Sequence, residues 1–137
     1  MRLFPIFRRK NKEPSKGRVL LAVLYVAPRE SVSTEQAHAL RQIILTASPL
    51  YLDFLNPGSF IVFFPGTDKG NGMAIRLAED LRQYARQNSI EGFGVGTCLG
   101  DCIAQFNSKG SLVSRPLGIA INDAMSFVIQ DGKKNAR

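Results

Sequence analysis

Two kinds of apolar pattern alternate along the chain: short unbroken runs, and longer stretches in which apolar positions recur every three or four residues. The run from Val19 to Ala27 is of the first kind, as expected of a strand covered on both faces, and Pro28 stops it. Ser33-Thr34-Glu35-Gln36 reads as a helix start, with a hydroxyl at the cap and an acid in the first turn. Ala37, Leu40, Ile43, Ile44 and Ala47 then follow at helical spacing, up to Pro49. Leu50 to Leu55 and Phe60 to Phe64 are strand-like, and the turn residues Asn56-Pro57-Gly58-Ser59 between them predict a hairpin.

Pro65, Gly66, Gly70 and Gly72 lead towards a second helix, whose apolar side is Met73, Leu77, Leu81, Tyr84 and Ala85. Phe93 to Cys98 is a further strand-like segment, and Leu99-Gly100-Asp101 reads as a turn into Cys102 to Phe106, a second hairpin. After a polar stretch, Pro116 suits the first turn of a last helix carrying Leu117, Ala120, Ile121, Ala124, Met125 and Val128 on one side, with Gly132 as its end. The expected order is β-α-β-β-α-β-β-α. It describes an α+β domain, a ferredoxin-like sheet with helices packed on it.

A length of 137 residues suits one domain. Residues 1–17 read as a basic tail, 18–130 as the domain and 131–137 as a second basic tail. The net charge of +7 does not mark a basic face. Residues 1–18 carry Arg2, Arg8, Arg9, Lys10, Lys12, Lys16 and Arg18 against Glu13 alone, while the body of the chain is nearly neutral. The longest apolar run is far short of the ~20 residues that a membrane-spanning helix needs. Met1 to Phe7 is too short and too soon charged for a secretory signal, so a cytoplasmic protein is expected. Leu3, Phe4, Ile6 and Phe7 beside the basic run would also let residues 1–17 rest on an anionic membrane or bind nucleic acid non-specifically.

Candidate chemistry is sparse. Cys98 and Cys102 lack C-x-x-C spacing, and with His38 as the sole histidine they do not make a structural zinc site. Asp101 beside the thiols would raise a cysteine pKa and oppose nucleophilicity. Gly92-x-Gly94-x-Gly96 lacks the lysine and hydroxyl of a phosphate loop, and glycines in a closely packed strand account for it better. Gly66 to Gly72 leads into a helix whose free N–H groups, with Lys69, could receive an anion, although a flexible strand-to-helix turn accounts for it better. Ser59, Arg115 and Asn122 could line a ligand pocket beside the first hairpin.

Several stretches resemble the class III nucleotide-cyclase catalytic domain, in the right order. They are Val23 to Ala27, Pro57 to Phe64, Phe93 to Thr97 through Gly100, and Gly118 to Ala124. The resemblance spans about residues 19–128 and implies a fold, a nucleotide ligand and activity arising between two paired domains. It also implies two divalent ions held by a carboxylate on the first strand and another at the central hairpin. Here those positions fall on Ala27 and Ser59, neither of which replaces an anionic oxygen donor. Asn122 matches the late-helix asparagine, but Ser126 stands where the arginine for developing phosphate charge belongs. The base-selecting pair falls near Leu55 and Arg115, and neither fits.

The expectation is therefore a pseudoenzyme with no cofactor, a cyclase-homology module for dimerisation, regulation or ligand binding, acting as a homodimer or with a related domain. The alternatives are a cyclase or phosphotransfer enzyme using Asp53, Asp68, Asp101 or Asp123, and a membrane- or nucleic-acid-binding protein using its tail.

Overall fold

The computed structural model describes residues 15–28, 32–56 and 58–134. Strand β1 (Ser15–Ala27) is the spine of the molecule. It pairs antiparallel with β3 (Ser59–Pro65) on one side and with β4 (Gly94–Phe106) on the other, and β2 (Tyr51–Asn56) closes the far edge against β3. The sheet order β2-β3-β1-β4 is the ferredoxin-like one, with all neighbours antiparallel.

Side chains alternate across this sheet, so β1 and β3 supply two cores. Ala22, Leu24, Val26, Phe60, Val62 and Phe64 face the helices α1 (Thr34–Thr46) and α2 (Asp68–Gln87), packing on Leu40, Ile44, Leu77 and Leu81. Leu21, Val23, Ile61 and Phe63 face the other way, towards α3 (Ile119–Lys134) with its Ala120 and Ala124. Burial on both faces explains why the central strands read as unbroken apolar runs. Two aromatic pairs fix the register of the hairpin. Tyr51 lies opposite Phe63 and Phe54 opposite Phe60, with ring centroids 6.1 and 5.4 Å apart.

The local signals at α1 act as expected: the Ser33 hydroxyl accepts from the Gln36 N–H while the Gln36 side chain accepts from the Ser33 N–H, a complete capping box. Five boundaries differ. Residues 99–101 do not turn, because β1 is as long as β4 and pairs with it from Ser15 opposite Phe106 to Ala27 opposite Gly94. The predicted second hairpin is one continuous strand, and the order is β-α-β-β-α-β-α. Ser15 to Gly17 therefore belong to the sheet rather than to the tail.

Helix α2 starts at Asp68, so Gly70 and Gly72 lie inside it; the Thr67 hydroxyl caps it by accepting from the Gly70 N–H. Helix α3 starts at Ile119 rather than at Pro116, because Leu117 exchanges both backbone hydrogen bonds with Ile103 and extends the β4 edge first. It then runs through Gly132 to Lys134.

Glycine matters most where α3 meets β4. The residues of β4 under the helix are all small: Gly94, Gly96, Cys98, Gly100, Cys102 and Ala104. A Cβ at Gly96 would sit 2.2 Å from the Ala124 carbonyl oxygen, and one at Gly100 would sit 2.9 Å from the Ala120 methyl. Close helix-on-strand approach is thus what the Gly-x-Gly spacing serves.

Candidate functional site

The two positions at which the resemblance implies metal-binding carboxylates lie at one end of the sheet. The register setting Val26 opposite Phe60 brings the next residues outward, Ala27 and Ser59, to the same end of β1 and β3. Ser59 is the one buried polar residue among the described residues, at 8% exposure. Gly58 precedes it with φ +87°, a backbone conformation open to glycine, and a Cβ there would meet Val32 and Pro28. The hairpin turn is therefore pressed onto the chain that leaves β1. A methyl and a hydroxyl occupy this corner, and neither carries the negative charge that a hard divalent ion requires.

The other sequence candidates do not converge on it. Arg115 reaches across the second face of the sheet to Asp53 on β2, with Nη1 3.4 Å from Oδ2. Asp53 thus has a cationic partner. Asn122 lies two residues from both Ala120 and Ala124, which face the sheet, so it points outward from α3 and is exposed. Lys69 is exposed in the first turn of α2, beyond Pro65, at the opposite end of β3 from Ser59.

Asp68 shares that turn, while Asp101 lies on β4 and Asp123 on α3. Among the described residues, no group of three or more histidine, cysteine or acidic side chains is placed to hold a metal ion. His38 is exposed on α1.

The cysteines are free, both facing α3 from β4. Burial pushes the Cys98 thiol pKa up, and Asp123 adds to this; the thiol lies 3.9 Å from the Asp123 carboxylate oxygen. Burial likewise raises that of Cys102, with Asp101 contributing second. Both groups are held as neutral thiols.

One polar cluster escaped the sequence reading. Asp131 accepts from Arg82 Nε at 3.2 Å and from the Val95 N–H at 3.0 Å, while Arg82 also donates to the Val95 carbonyl at 3.3 Å and pairs with Glu79. These bonds staple α2 and α3 to the outer edge of β4. The sequence pattern puts Asp131 in a basic C-terminal tail, whereas it sits on α3. The signal that would have found it is the amphipathic spacing of α3, which carries on past Val128.

No family model matches the chain, and no curated protein is similar to it in sequence. Its fold, in contrast, matches solved structures of nucleotide cyclases. A bacterial light-regulated adenylyl cyclase superposes with a TM-score of 0.60 at 14% identity, over 90% of this chain and 47% of that one. The adenylyl cyclase CyaB from P. aeruginosa gives 0.53 at 19% identity, over 81% of this chain and 71% of that one. The guanylyl cyclase Cya2 gives 0.54 at 12%, over 85% and 71%. The chain thus spans about half the length of the light-regulated enzyme. What these likenesses establish is the architecture: an α+β domain with the fold of the class III cyclase catalytic domain. Among the described residues, no helix is long and apolar enough to cross a membrane. Residues 1–14, on which the expectation of membrane or nucleic-acid binding falls, lie outside the described residues.

Proposed function

We propose that this protein is a non-catalytic cyclase-homology domain that works by pairing with a second copy of itself or with a related domain. The observation that carries the proposal is the corner formed by Ala27 and Ser59. In a cyclase fold this is where two carboxylates would gather the metals that activate the ribose hydroxyl and neutralise the triphosphate. Without anionic ligands the ions are not held, and without them there is no nucleophile and no charge relief for the leaving pyrophosphate. Asp53, the carboxylate on the neighbouring strand, is engaged by Arg115.

The pairing half rests on the second face of the sheet. Among the described elements helix α3 lies over β4 and β1; on the β2–β3 side of that face Ile61 and Phe63 are buried, while Tyr25, Tyr51 and Leu55 around them stay only partly buried. A partly exposed apolar rim of this kind favours a partner. The guanylyl cyclase domain of the RhoGC fusion protein from the aquatic fungus Blastocladiella emersonii, which has this fold, has been solved as a dimer and as a monomer.

Incubation with each nucleoside triphosphate plus magnesium or manganese tests the catalytic half. No cyclic nucleotide and no pyrophosphate should form. Turnover at an enzyme-like rate, lost on changing Asp53, would replace this reading with that of an active enzyme using an atypical site.

A further inference from the structure

Strands β1, β2 and β3 turn neutral side chains to the second face of the sheet, with one exception. By the alternation that puts Leu21, Val23, Ile61 and Phe63 on that face, β2 adds Tyr51, Asp53 and Leu55. Among the described residues that these three strands turn to this face, Asp53 alone is charged, and it stands between the partly buried Tyr51 and Leu55 of its own strand. A carboxylate in the middle of an apolar row costs desolvation whenever the row is covered, unless an opposite charge comes with it.

Arg115 supplies that charge, but incompletely. Its Nη1 lies 3.4 Å from Asp53 Oδ2, and the two side chains are 43% and 34% exposed. A guanidinium has five N–H donors and a carboxylate about four acceptor sites. Among the described residues neither side chain forms a hydrogen bond, although the strongest arginine–carboxylate pairs are bidentate. Exposed and singly engaged, the pair contributes little to the stability of one chain. Arg115 is nevertheless offered from a fixed place. Before it, the Val113 N–H donates to the Gln105 carbonyl, and after it, Leu117 exchanges backbone bonds with Ile103.

We propose that this half-made ion pair is the centre of the contact between two copies of the chain, each Asp53 accepting from the partner's Arg115. The proposal rests on the pairing reading given above and names its partner, a second copy, and its polar contact. A two-fold axis through the midpoint of the Asp53–Arg115 pair turns each carboxylate over the other copy's guanidinium. Four charges then alternate in sign around the axis. Tyr51 and Leu55 flank this centre and exclude water from it, the setting in which a charge-assisted bond is strongest. A related domain would need both charges at matching places, whereas a second copy carries them by necessity.

Sedimentation equilibrium on the full chain tests this with charge reversals at the two exposed positions. Asp53→Arg alone and Arg115→Asp alone should each weaken self-association at least about tenfold. An equimolar mixture of the two variants should recover it to within about threefold of the wild type, because one copy then carries two positive charges and the other two negative. The Asp53→Arg/Arg115→Asp double variant should recover it too. An ion pair that acts only within one chain would be rescued by the double variant and not by the mixture. Asp53→Asn and Arg115→Gln, which add no new charge, should weaken association in the same direction by smaller factors.

Failure of the mixture to recover would overturn the proposal, and so would variants that all associate as the wild type does. Either result leaves the pairing reading in place. A wild type that stays monomeric at every concentration would instead remove the pairing reading and this contact with it.

Discussion

Replacing Gly96 with alanine probes the packing that sets the whole second face. The new methyl would lie 2.2 Å from the Ala124 carbonyl oxygen, 2.7 Å from the Val128 nitrogen and 2.8 Å from the Phe127 Cβ. Two of these are backbone atoms, so no side-chain rotation relieves them. Restoring ordinary contact at about 3.4 Å requires α3 to lift by roughly 1 Å, and a gap of that size forfeits a quarter to a half of the dispersion between the surfaces.

Ala120, Ala124 and Val128 are 3%, 0% and 7% exposed, and their burial together is worth about 4 kcal/mol. Losing up to half of that, with some residual strain, gives a cost of about 2–3 kcal/mol. Urea denaturation should report this as a lower midpoint with an unchanged slope, and thermal unfolding as a drop of about 10 °C. Gly72→Ala is the matched control. No atom lies within 4 Å of its Cβ position in the exposed part of α2, and it should stabilise by about 0.5–1 kcal/mol. A Gly96→Ala protein as stable as the wild type would refute the close-packing account of the β4 glycines.

Further outcomes follow from the polar groups. Asp131→Ala should cost about 1–2 kcal/mol in urea denaturation, because it strips the Val95 N–H and the Arg82 guanidinium of their shared acceptor. Asp131→Asn, which keeps an acceptor, should recover part of the loss. The two thiols should label slowly at neutral pH, with Cys98 reacting before Cys102, which is 1% exposed. Their raised pKa values mean that the folded state holds its thiol protons longer than the unfolded chain. The associated stability is complete below the ordinary thiol value of 9.0 and falls as pH rises above it. Thermal scans between neutral and strongly alkaline pH should show that decline, reduced in a Cys98→Ala variant. Ala27→Asp/Ser59→Asp should introduce manganese binding, measurable by calorimetry, where the unaltered protein should show none. Failure of the folded double variant to bind would show that this corner is not the metal position of the fold.

The architecture was legible because its signals are local and repeated. The apolar runs at 19–27 and 60–64, the capping residues at 33–36 and the turn at 56–59 each specify one element, and their order leaves few ways to arrange the sheet. The second hairpin misled because Leu99-Gly100-Asp101 has turn composition, while the reason for Gly100 is the Ala120 methyl above it, twenty residues away. Arg115 was recognised as a candidate, but its partner Asp53 is a long-range choice made by the fold. The same holds for Arg82 and Asp131, 49 residues apart. The absence of carboxylates at 27 and 59 was visible from the residues alone. That these two positions share one end of the sheet needed the β1–β3 register.

The central claim is that the chain keeps the shape of a cyclase domain and uses it to associate. Sedimentation equilibrium over a wide concentration range tests this most directly. The account predicts a reversible rise from the 15.1 kDa chain mass to twice that value. It further predicts that the rise is weakened when the partly buried Tyr51 or Leu55 is changed to a charged residue. A single monomer mass at every concentration, with no related domain able to shift it, would contradict the account.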